Sequence, residues 1–333
     1  MLNKTVNLTI DAPCKVNLNL NIGGRRQDGF HDVESIFAAF TLCDTLKFEA
    51  GEASGGSYQD EVQLDTAELP HFFGEILSPP RLSPEKNLVY RAIKLFKSKT
   101  GFDRTVKVNI VKRIPPAAGL GGGSSDAAAA LLAMNTISGA ALTNEELLRC
   151  AAELGSDIPF FIELAARHCP ESNFCYAAYV SGRGERVEFS AAPPLDIVIA
   201  NPCIESGTKE AFALLDETRA SEKKLSLDSV DMRVKNCSKT NALAELSKDP
   251  SKWRFANDFL TVFMAQPSQK KKYQAILQDL ARQGSLFSGL SGSGSSCFGI
   301  FPNSAAAKTA AHNLSAAWPF VRAARSLNAG RCF

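Results

Sequence analysis

A glycine-rich stretch in the first half of the chain most constrains its fold. Residues 119–126 read Gly-Leu-Gly-Gly-Gly-Ser-Ser-Asp and run directly into the alanine- and leucine-rich segment 127–133. The pattern predicts a loop that ends at the N-terminus of a helix. Glycines let a ligand approach the backbone amides closely, and the first N–H groups of a helix are unpaired at the positive end of its dipole. The stretch therefore predicts an anion site, for which a polyphosphate is the natural ligand.

Three other interpretations of this loop compete with that one. The P-loop pattern G-x-x-x-x-G-K-[ST] does not fit, because serines stand where its lysine would be. The dinucleotide fingerprint G-x-G-x-x-G aligns with Gly119 and Gly121, but its third glycine falls on Ser124. The early strand, βαβ unit and downstream acid that this fingerprint needs are not evident either. A plain turn capped by Ser124 or Ser125 would need one serine and no run of glycines.

The composition excludes several classes of protein. A length of 333 residues suggests about two domains. With 45% hydrophobic and 22% charged residues, the chain is typical of a globular protein with a large core. A net charge of +2 offers no broad basic surface, so we expect no nucleic-acid partner. Phosphate recognition must therefore be local.

The cysteines and the apolar runs indicate the compartment. The nine cysteines are scattered and form no C-x-x-C pair, which predicts reduced packing residues rather than disulfides or a zinc site. No apolar run approaches the roughly 18 residues of a membrane span, and the first residues lack the layout of a signal peptide. We therefore expect a cytoplasmic protein with no membrane partner, bacterial rather than a plastid precursor.

Apolar periodicity gives a coarse map of the elements. Residues 6–26 alternate and predict a strand pair with one apolar and one polar face, broken at Pro13, with Asn17 on the polar face. Thr143 followed by Glu146 completes a capping box at a helix start. Helices are predicted at 87–99, 127–133, 143–154, 208–217 and 270–282, and further strands at 106–110 and 195–200. The stretch 219–252 is polar and poorly patterned.

A second glycine cluster lies near the C-terminus. Residues 288–294 read Ser-Gly-Leu-Ser-Gly-Ser-Gly and feed the apolar segment 297–301. Such runs are often linkers. Linkers seldom lead directly into a buried strand, so a second functional loop is the competing interpretation.

Five stretches, in this order along nearly the whole chain, resemble the GHMP small-molecule kinases. They are 12–18 (Ala-Pro-Cys-Lys-Val-Asn-Leu), 24–31 (Gly-Arg-Arg-Gln-Asp-Gly-Phe-His), 116–126, 155–160 (Gly-Ser-Asp-Ile-Pro-Phe) and 290–294 (Leu-Ser-Gly-Ser-Gly). The first two resemble, more narrowly, the members of the family that phosphorylate a cytidine diphosphate derivative. The segment 165–175 is longer than the family norm.

The resemblance implies an α+β, two-domain fold with the active site in the cleft between the domains. Residues 1–193 would form the N-terminal domain with the ATP-phosphate loop and the catalytic residues, and 194–333 the C-terminal domain on the substrate side. ATP would donate its γ-phosphoryl group to an alcohol, and Mg²⁺ would be required. The resemblance assigns no magnesium ligand, and the oligomeric state stays open.

The resemblance also implies roles for individual residues. Asp157 would accept the proton of the substrate hydroxyl, with Lys15 orienting it and stabilising charge on the transferred group. The ATP phosphates would be held by Pro116, Gly119, Leu120, Gly121, Gly122, Gly123, Ser124 and Ser125. The substrate would be held by Asn17, Phe30, His31, Phe212, Gly292, Ser293 and Gly294. Among these, Phe30 and Phe212 would stack on the cytosine and His31 would contact its edge.

Each assignment has a simpler alternative. From the residues alone, Lys15 and Asp157 are first read as a structural salt bridge, Asn17 as a solvated strand residue and Phe212 as helix core. Within the resemblance, the chain could act on homoserine, mevalonate or a sugar, or it could be a nucleotide sensor that lost catalysis. Phe30 and His31 argue against the other substrates, because those offer no base to stack. Retention of both Lys15 and Asp157 argues against a sensor that lost catalysis.

Overall fold

The computed structural model describes residues 5–51, 60–79, 81–167, 175–225 and 239–327. The strands are β1 (Val6–Arg25), β2 (His31–Gly51), β3 (Glu61–Asp65), β4 (Thr105–Val111), β5 (Cys175–Ser181), β6 (Arg186–Ala192), β7 (Asp196–Asn201), β8 (Phe287–Leu290), β9 (Cys297–Phe301) and β10 (Phe320–Arg325). The helices are α1 (His71–Ile76), α2 (Leu88–Thr100), α3 (Gly122–Ile137), α4 (Asn144–Leu154), α5 (Ile158–Ala165), α6 (Thr208–Leu225), α7 (Lys239–Leu246), α8 (Asp258–Ala265), α9 (Pro267–Arg282) and α10 (Ser304–Leu314).

Residues 6–25 form one long strand rather than the predicted strand pair. β1 has 20 residues and pairs antiparallel with the 21 residues of β2. Its register shifts between Pro13 and Cys14. A bulge accommodates a proline, which cannot donate to the ladder, so the strand continues where the sequence predicted a break.

β1 and β2 form the backbone of a six-stranded sheet. β1 lies along one edge of β2, while β4 and β5 share its other edge, opposite residues 45–51 and 35–38 respectively. β3 pairs parallel with β4, and β6 pairs antiparallel with β5. A second sheet of four antiparallel strands has the order β10-β7-β9-β8. Two mainly antiparallel sheets with separate helices confirm the α+β class.

The large sheet is buried on both faces around its centre, whereas one face is open to solvent at the end that carries Asn7, Lys47 and Lys107. One face packs on α2 to α5 through residues such as Phe37, Phe96 and Phe160. The other face packs on the small sheet, where Phe40 and Phe298 share a cluster. The far side of the small sheet carries α6, α8, α9 and α10. The predicted polar face of the first strand is therefore present over residues 6–11 and wrong for residues 12–20, where Asn17 is only 3% exposed.

Several helices begin and end where the sequence predicts. Asn87 caps α2 and Gly101 ends it with φ 72°. Thr143 and Glu146 form the capping box of α4. The helix predicted at 208–217 continues as α6 to Leu225, and α7 occupies part of the polar stretch 219–252. Residues 168–174 and 226–238 lie outside the described residues. The domain boundary between 193 and 194 falls between β6 and β7 and stays a prediction.

Candidate active site

The glycine-rich loop leads into α3 without a side-chain cap. Gly121 stands at the N-cap with φ 69°, and the helix begins at Gly122. The Ser125 amide donates to the Gly121 carbonyl at 2.9 Å, which opens the helical series of hydrogen bonds. The amides of Gly122 and Gly123 precede that series and have no carbonyl one turn earlier. The Ser125 hydroxyl is buried and has no hydrogen-bond partner among the described residues. The loop thus offers donors that suit an anion.

The other predicted ATP-binding residues line the same loop. Pro116 and Ser124 are half-buried, and Leu120 is buried. A Cβ added at Gly122 would lie 2.9 Å from Ile114 Cγ2, so the helix start is packed closely on the segment that follows β4. This close packing fixes the position of the first turn of α3.

The second glycine cluster packs directly on the first. Ser291 Oγ donates to the Gly119 carbonyl at 2.8 Å, and the Ser296 amide donates to the Ala118 carbonyl at 3.1 Å. Gly119 has φ 76°, and a Cβ there would lie 2.0 Å from the Ser291 carbonyl oxygen. Only glycine fits this position. The cluster at 288–294 is therefore part of the same site and not a linker.

Lys15 and Asp157 meet beside the first glycine loop. Lys15 Nζ lies 3.3 Å from Asp157 Oδ2 and 2.6 Å from Asn17 Oδ1. The Lys15 amide donates to the Leu120 carbonyl at 2.9 Å, and a Cβ at Gly121 would lie 2.8 Å from Lys15 Cγ. The Lys15 side chain is 5% exposed and that of Asp157 is 32% exposed. A buried ammonium therefore supports a carboxylate that a ligand can reach.

Local structure explains why this carboxylate is held in place. Asp157 stands at the N-cap of α5, directly before Ile158 and a proline in the first turn. Phe160 and Phe161 in the same helix are fully buried in the core. The backbone of Asp157 is thus anchored by the helix that it begins.

Asn17 connects Lys15 to the second glycine cluster. Its Oδ1 accepts from Lys15, its Nδ2 donates to Ser35 Oγ at 2.9 Å, and its backbone amide donates to Ser291 Oγ at 3.1 Å. A network of this kind excludes the alternative of a solvated strand residue. Both polar atoms of the Asn17 side chain are engaged by protein groups.

The remaining residues of the second cluster are held by residues just before the starts of α6 and α8. Asn257 Nδ2 donates to the Gly292 carbonyl at 2.9 Å, and Ser206 Oγ donates to the Ser293 carbonyl at 2.5 Å. Gly292 and Gly294 have φ of 55° and 84°. The cluster is therefore a constrained turn facing the first loop.

His31 and Phe212 come together, whereas Phe30 lies apart. The rings of His31 and Phe212 are stacked with centroids 4.9 Å apart and an angle of 16°. His31 Nε2 lies 2.9 Å from Asp216 Oδ1. Phe30 is 52% exposed, and its ring centroid lies 5.0 Å from the Arg183 guanidinium carbon. Within the described ranges, Phe30 and Phe212 make no ring contact with each other.

A buried charge cluster beneath the loop was missed by the sequence reasoning. Lys112 Nζ lies 2.6 Å from Asp126 Oδ2 and also bonds Asp44. Asp44 accepts from the amides of Arg113 at 2.5 Å and Ile114 at 2.8 Å. The cluster joins β2, the end of β4 and the first turns of α3. A signal existed, since Asp126 is the one charged residue in an alanine-rich helix start.

Burial perturbs the ionisation of this cluster. Asp44 has three donors, whereas Asp126 Oδ1 is buried and has no hydrogen-bond partner in the part of the chain that the structure describes. Burial raises the pKa of Asp126 to about 7, against the opposing effect of Lys112. Burial alone would lower the pKa of Lys112, but the two carboxylates raise it above its ordinary value.

The described ranges show neither a ready-made cluster of metal ligands nor a membrane-spanning helix. No group of three or more His, Cys, Asp or Glu side chains there is arranged to hold a metal ion. None of the helices in those ranges is both long and apolar enough to cross a membrane.

The fold is that of a GHMP kinase. The model of the GHMP kinases N terminal domain matches residues 87–163, and the model of the GHMP kinases C terminal region matches residues 251–319. A crystal structure of 4-(cytidine 5'-diphospho)-2C-methyl-D-erythritol kinase superposes with a TM-score of 0.70 at 26% identity, over 96% of this chain and 100% of that one. L. major mevalonate kinase shares the fold, with a TM-score of 0.61 at 15% identity over 98% and 97% of the two chains.

Curated relatives define the family more narrowly. Proteins named 4-diphosphocytidyl-2-C-methyl-D-erythritol kinase are 33% identical in Treponema pallidum (strain Nichols), over 88% of this chain and 90% of the relative, and 34% identical in Anaeromyxobacter sp. (strain K), over 90% and 82%. A chloroplastic relative of that name from Mentha piperita is 38% identical over 62% of this chain, which spans 46% of the relative's length. The chain belongs to this family of GHMP kinases. It is a small-molecule kinase, and ATP is the phosphate donor of its family.

Proposed function

We propose that this kinase transfers the γ-phosphoryl group of ATP to the 2-hydroxyl of 4-diphosphocytidyl-2-C-methyl-D-erythritol, a step of the non-mevalonate isoprenoid pathway. The names of relatives that match most of the chain support the choice of substrate. The observation that carries the proposal is the contact of Lys15 with Asp157 beside two interlocked glycine loops.

Asp157 accepts the proton in this mechanism. The substrate hydroxyl oxygen attacks the γ-phosphorus, its proton passes to the Asp157 carboxylate, and the bond from the γ-phosphorus to the bridging oxygen breaks to release ADP. Phosphoryl transfer needs positioning and charge neutralisation more than covalent catalysis. Lys15 suits that need, because its side chain is 5% exposed and its ammonium nitrogen lies 3.3 Å from the Asp157 carboxylate.

The glycine loop binds the phosphates of ATP in this proposal. The N-cap Gly121 provides no side-chain cap, so the amides of Gly122, Gly123 and Ser124 are available to phosphate oxygens. The buried Ser125 hydroxyl adds a donor that no described residue engages. Pro116, Gly119 and Leu120 shape the backbone that leads to these groups.

Magnesium is part of the same proposal. This ion is usually held by one or two carboxylates together with substrate phosphates and water. The half-buried Ser124 hydroxyl would fit such a ligand set together with the phosphates of ATP and water, which leaves Asp157 free to accept the proton. When bound, the ion neutralises charge on the phosphate oxygens of ATP.

The substrate binds on the other side of the Lys15–Asp157 pair. Asn17 bonds Lys15, and the turn of Gly292, Ser293 and Gly294 packs beside Asn17. Both suit the erythritol end of the substrate. Phe212 stacks beneath the base region and His31 contacts the cytosine edge, while Phe30 covers the base from the exposed rim. Aromatic faces stack on bases at about 1 to 3 kcal/mol per base.

We assign the reaction to the cytoplasm. Cys150, Cys203 and Cys297 are thiols, which persist in a reducing compartment.

An assay of ADP release tests the substrate. The purified protein is given ATP, magnesium and one alcohol at a time: the cytidyl compound, mevalonate, homoserine or galactose. Turnover with the cytidyl compound alone is expected. Turnover only with another alcohol would retain the chemistry of Asp157 and reject the substrate, and no turnover with any would favour a sensor.

A further inference from the structure

Asp216 holds one ring nitrogen of His31. Nε2 lies 2.9 Å from Asp216 Oδ1, and the imidazole is 6% exposed. An ionised carboxylate only accepts hydrogen bonds, so Nε2 carries the proton in this contact. In a neutral imidazole the other nitrogen, Nδ1, is then an acceptor.

The helix that provides Asp216 also provides the ring that covers His31. Phe212 and Asp216 are four residues apart in α6 and therefore lie on one face of it. The Phe212 ring stacks on the imidazole and meets Phe259 edge-on at 5.0 Å. The imidazole is thus fixed at its face and at Nε2. Nδ1 forms no hydrogen bond with any residue of the described ranges.

We propose that Asp216 is a positioning residue that keeps Nδ1 of His31 as an acceptor and so selects cytosine over uracil. Cytosine carries an exocyclic amino donor at the position where uracil carries a carbonyl acceptor. A donor bonds Nδ1, whereas a carbonyl oxygen would face a second acceptor. The inference rests on the proposed function, because it requires His31 to meet the base.

The chemistry fixes the sign of the selection. A doubly protonated His31 would donate from Nδ1 and would favour the uracil carbonyl. Loss of the carboxylate would free the proton to occupy either nitrogen, so the preference for an amino group would weaken. If the contact of Asp216 with His31 were only a surface ion pair, removing Asp216 would leave the preference for cytosine over uracil unchanged.

Three variants test this role: Asp216→Ala, Asp216→Asn and, as control, Glu217→Gln, the exposed carboxylate next along α6. For each, kcat and KM are measured with the cytidyl substrate and with its uridine counterpart, and binding of CDP and UDP is measured by calorimetry. Asp216→Ala is expected to lower the cytidine-to-uridine ratio of kcat/KM about ten-fold, mainly through KM, because a buried acceptor is no longer matched to its donor. Asp216→Asn retains an acceptor for Nε2–H and is expected to keep most of the ratio.

Nitrogen NMR of the free enzyme supplies a readout independent of turnover. In the wild type we expect His31 as the Nε2–H tautomer, with an unprotonated Nδ1, and in Asp216→Ala a mixture of tautomers. Equal losses on both substrates, or an unchanged tautomer in Asp216→Ala, would overturn the proposal.

Failure of the proposed function would be distinguishable. If the wild type does not phosphorylate the cytidyl compound but prefers CDP to UDP, and Asp216→Ala abolishes that preference, the role of Asp216 stands and the substrate assignment fails. If the wild type phosphorylates the cytidyl compound and Asp216→Ala keeps the preference for CDP over UDP, the proposed function stands and the role of Asp216 fails.

Discussion

Lys15 Nζ lies 3.3 Å from Asp157 Oδ2, joining the long first strand to the start of α5 at the edge of the phosphate loop. The aspartate is partly exposed, and ion pairs open to solvent add little to stability. The pair is therefore better explained by chemistry on a bound ligand than by a need of the fold.

Removing either member of this pair should abolish most activity and leave the fold intact. We expect Asp157→Ala and Lys15→Ala to lower kcat by about 10² to 10⁴-fold, the usual contribution of a positioned proton acceptor and its partner. Steady-state kinetics, thermal melting and binding of a non-hydrolysable ATP analogue check this together. Lys99→Ala, which breaks only an exposed pair with Glu153, is the control. Unfolding of either active-site variant would return the pair to a structural role.

Gly119 should be required for the contact between the two glycine loops. Gly119→Ala places a Cβ 2.0 Å from the Ser291 carbonyl oxygen, so the loops must separate and the KM for ATP should rise about ten-fold or more. Gly139→Ala is the matched control, because Gly139 has φ 80° but open space around its Cβ. It should lose about 1 kcal/mol of stability and keep its KM. Equal effects of the two changes would show that backbone conformation alone matters.

The buried cluster beneath the loop should be essential for stability. Lys112→Met leaves the carboxylates of Asp44 and Asp126 buried without a cation, and breaking a buried pair in this way costs about 3 to 5 kcal/mol. Urea unfolding measures the loss. Lys99→Met, which removes the lysine of an exposed ion pair, should cost only a small fraction of the free energy of unfolding that Lys112→Met costs. A similar stability for both variants would contradict the importance of the cluster.

The same cluster should give a specific dependence of stability on pH. Burial raises the pKa of Asp126 from its ordinary 3.8 to about 7, so between these values the folded state binds more protons than the unfolded state. The contribution of Asp126 to the free energy of unfolding is therefore fully present at low pH and is lost as pH rises toward 7. The free energies of unfolding of the wild type and of Asp126→Asn are compared at several pH values. The wild type should lose stability relative to Asp126→Asn from about pH 4 to about pH 7, and the difference should then stay constant. A difference that favours the wild type as pH rises would refute the raised pKa.

Phe30 should affect the substrate and not ATP. Its ring is 52% exposed beneath Arg183, where it can cover a base. Phe30→Ala should raise the KM for the cytidyl substrate about ten-fold and leave the KM for ATP unchanged. Phe30→Tyr, which keeps the face for stacking, should behave as the wild type does. An equal loss of affinity for both substrates would reject stacking.

Local chemistry made much of the fold predictable. The glycine run before an alanine-rich segment predicted the loop and α3, and Thr143 with Glu146 predicted the start of α4, because both depend on neighbouring residues. The long first strand was misread at Pro13, since a bulge depends on the partner strand. Asn17 was wrongly assigned to a solvent-exposed face, because alternation in the sequence does not show which part of a strand is covered on both faces by other elements.

The site was predictable in its residue types and less so in its contacts. Lys15 and Asp157 lie in stretches that resemble family motifs, so the sequence pointed to both. The contact of Asp216 with His31 joins α6 to β2, and no sequence pattern relates these two elements. The Lys112 cluster was likewise hidden, because a lysine in a strand is usually solvated and only packing buries it. The contacts that tune a site thus come from tertiary structure.

The most direct test of phosphoryl transfer to the 2-hydroxyl is to locate the phosphate group in the product. The enzyme is incubated with ATP, magnesium and the cytidyl substrate, and phosphorus and carbon NMR locate the new phosphomonoester. The account predicts one ester on the 2-hydroxyl for each ADP formed by the wild type, and an ester that forms about 10² to 10⁴-fold more slowly with Asp157→Ala. ADP formed without an ester on the cytidyl compound, or an ester that still forms at the wild-type rate in Asp157→Ala, would contradict it.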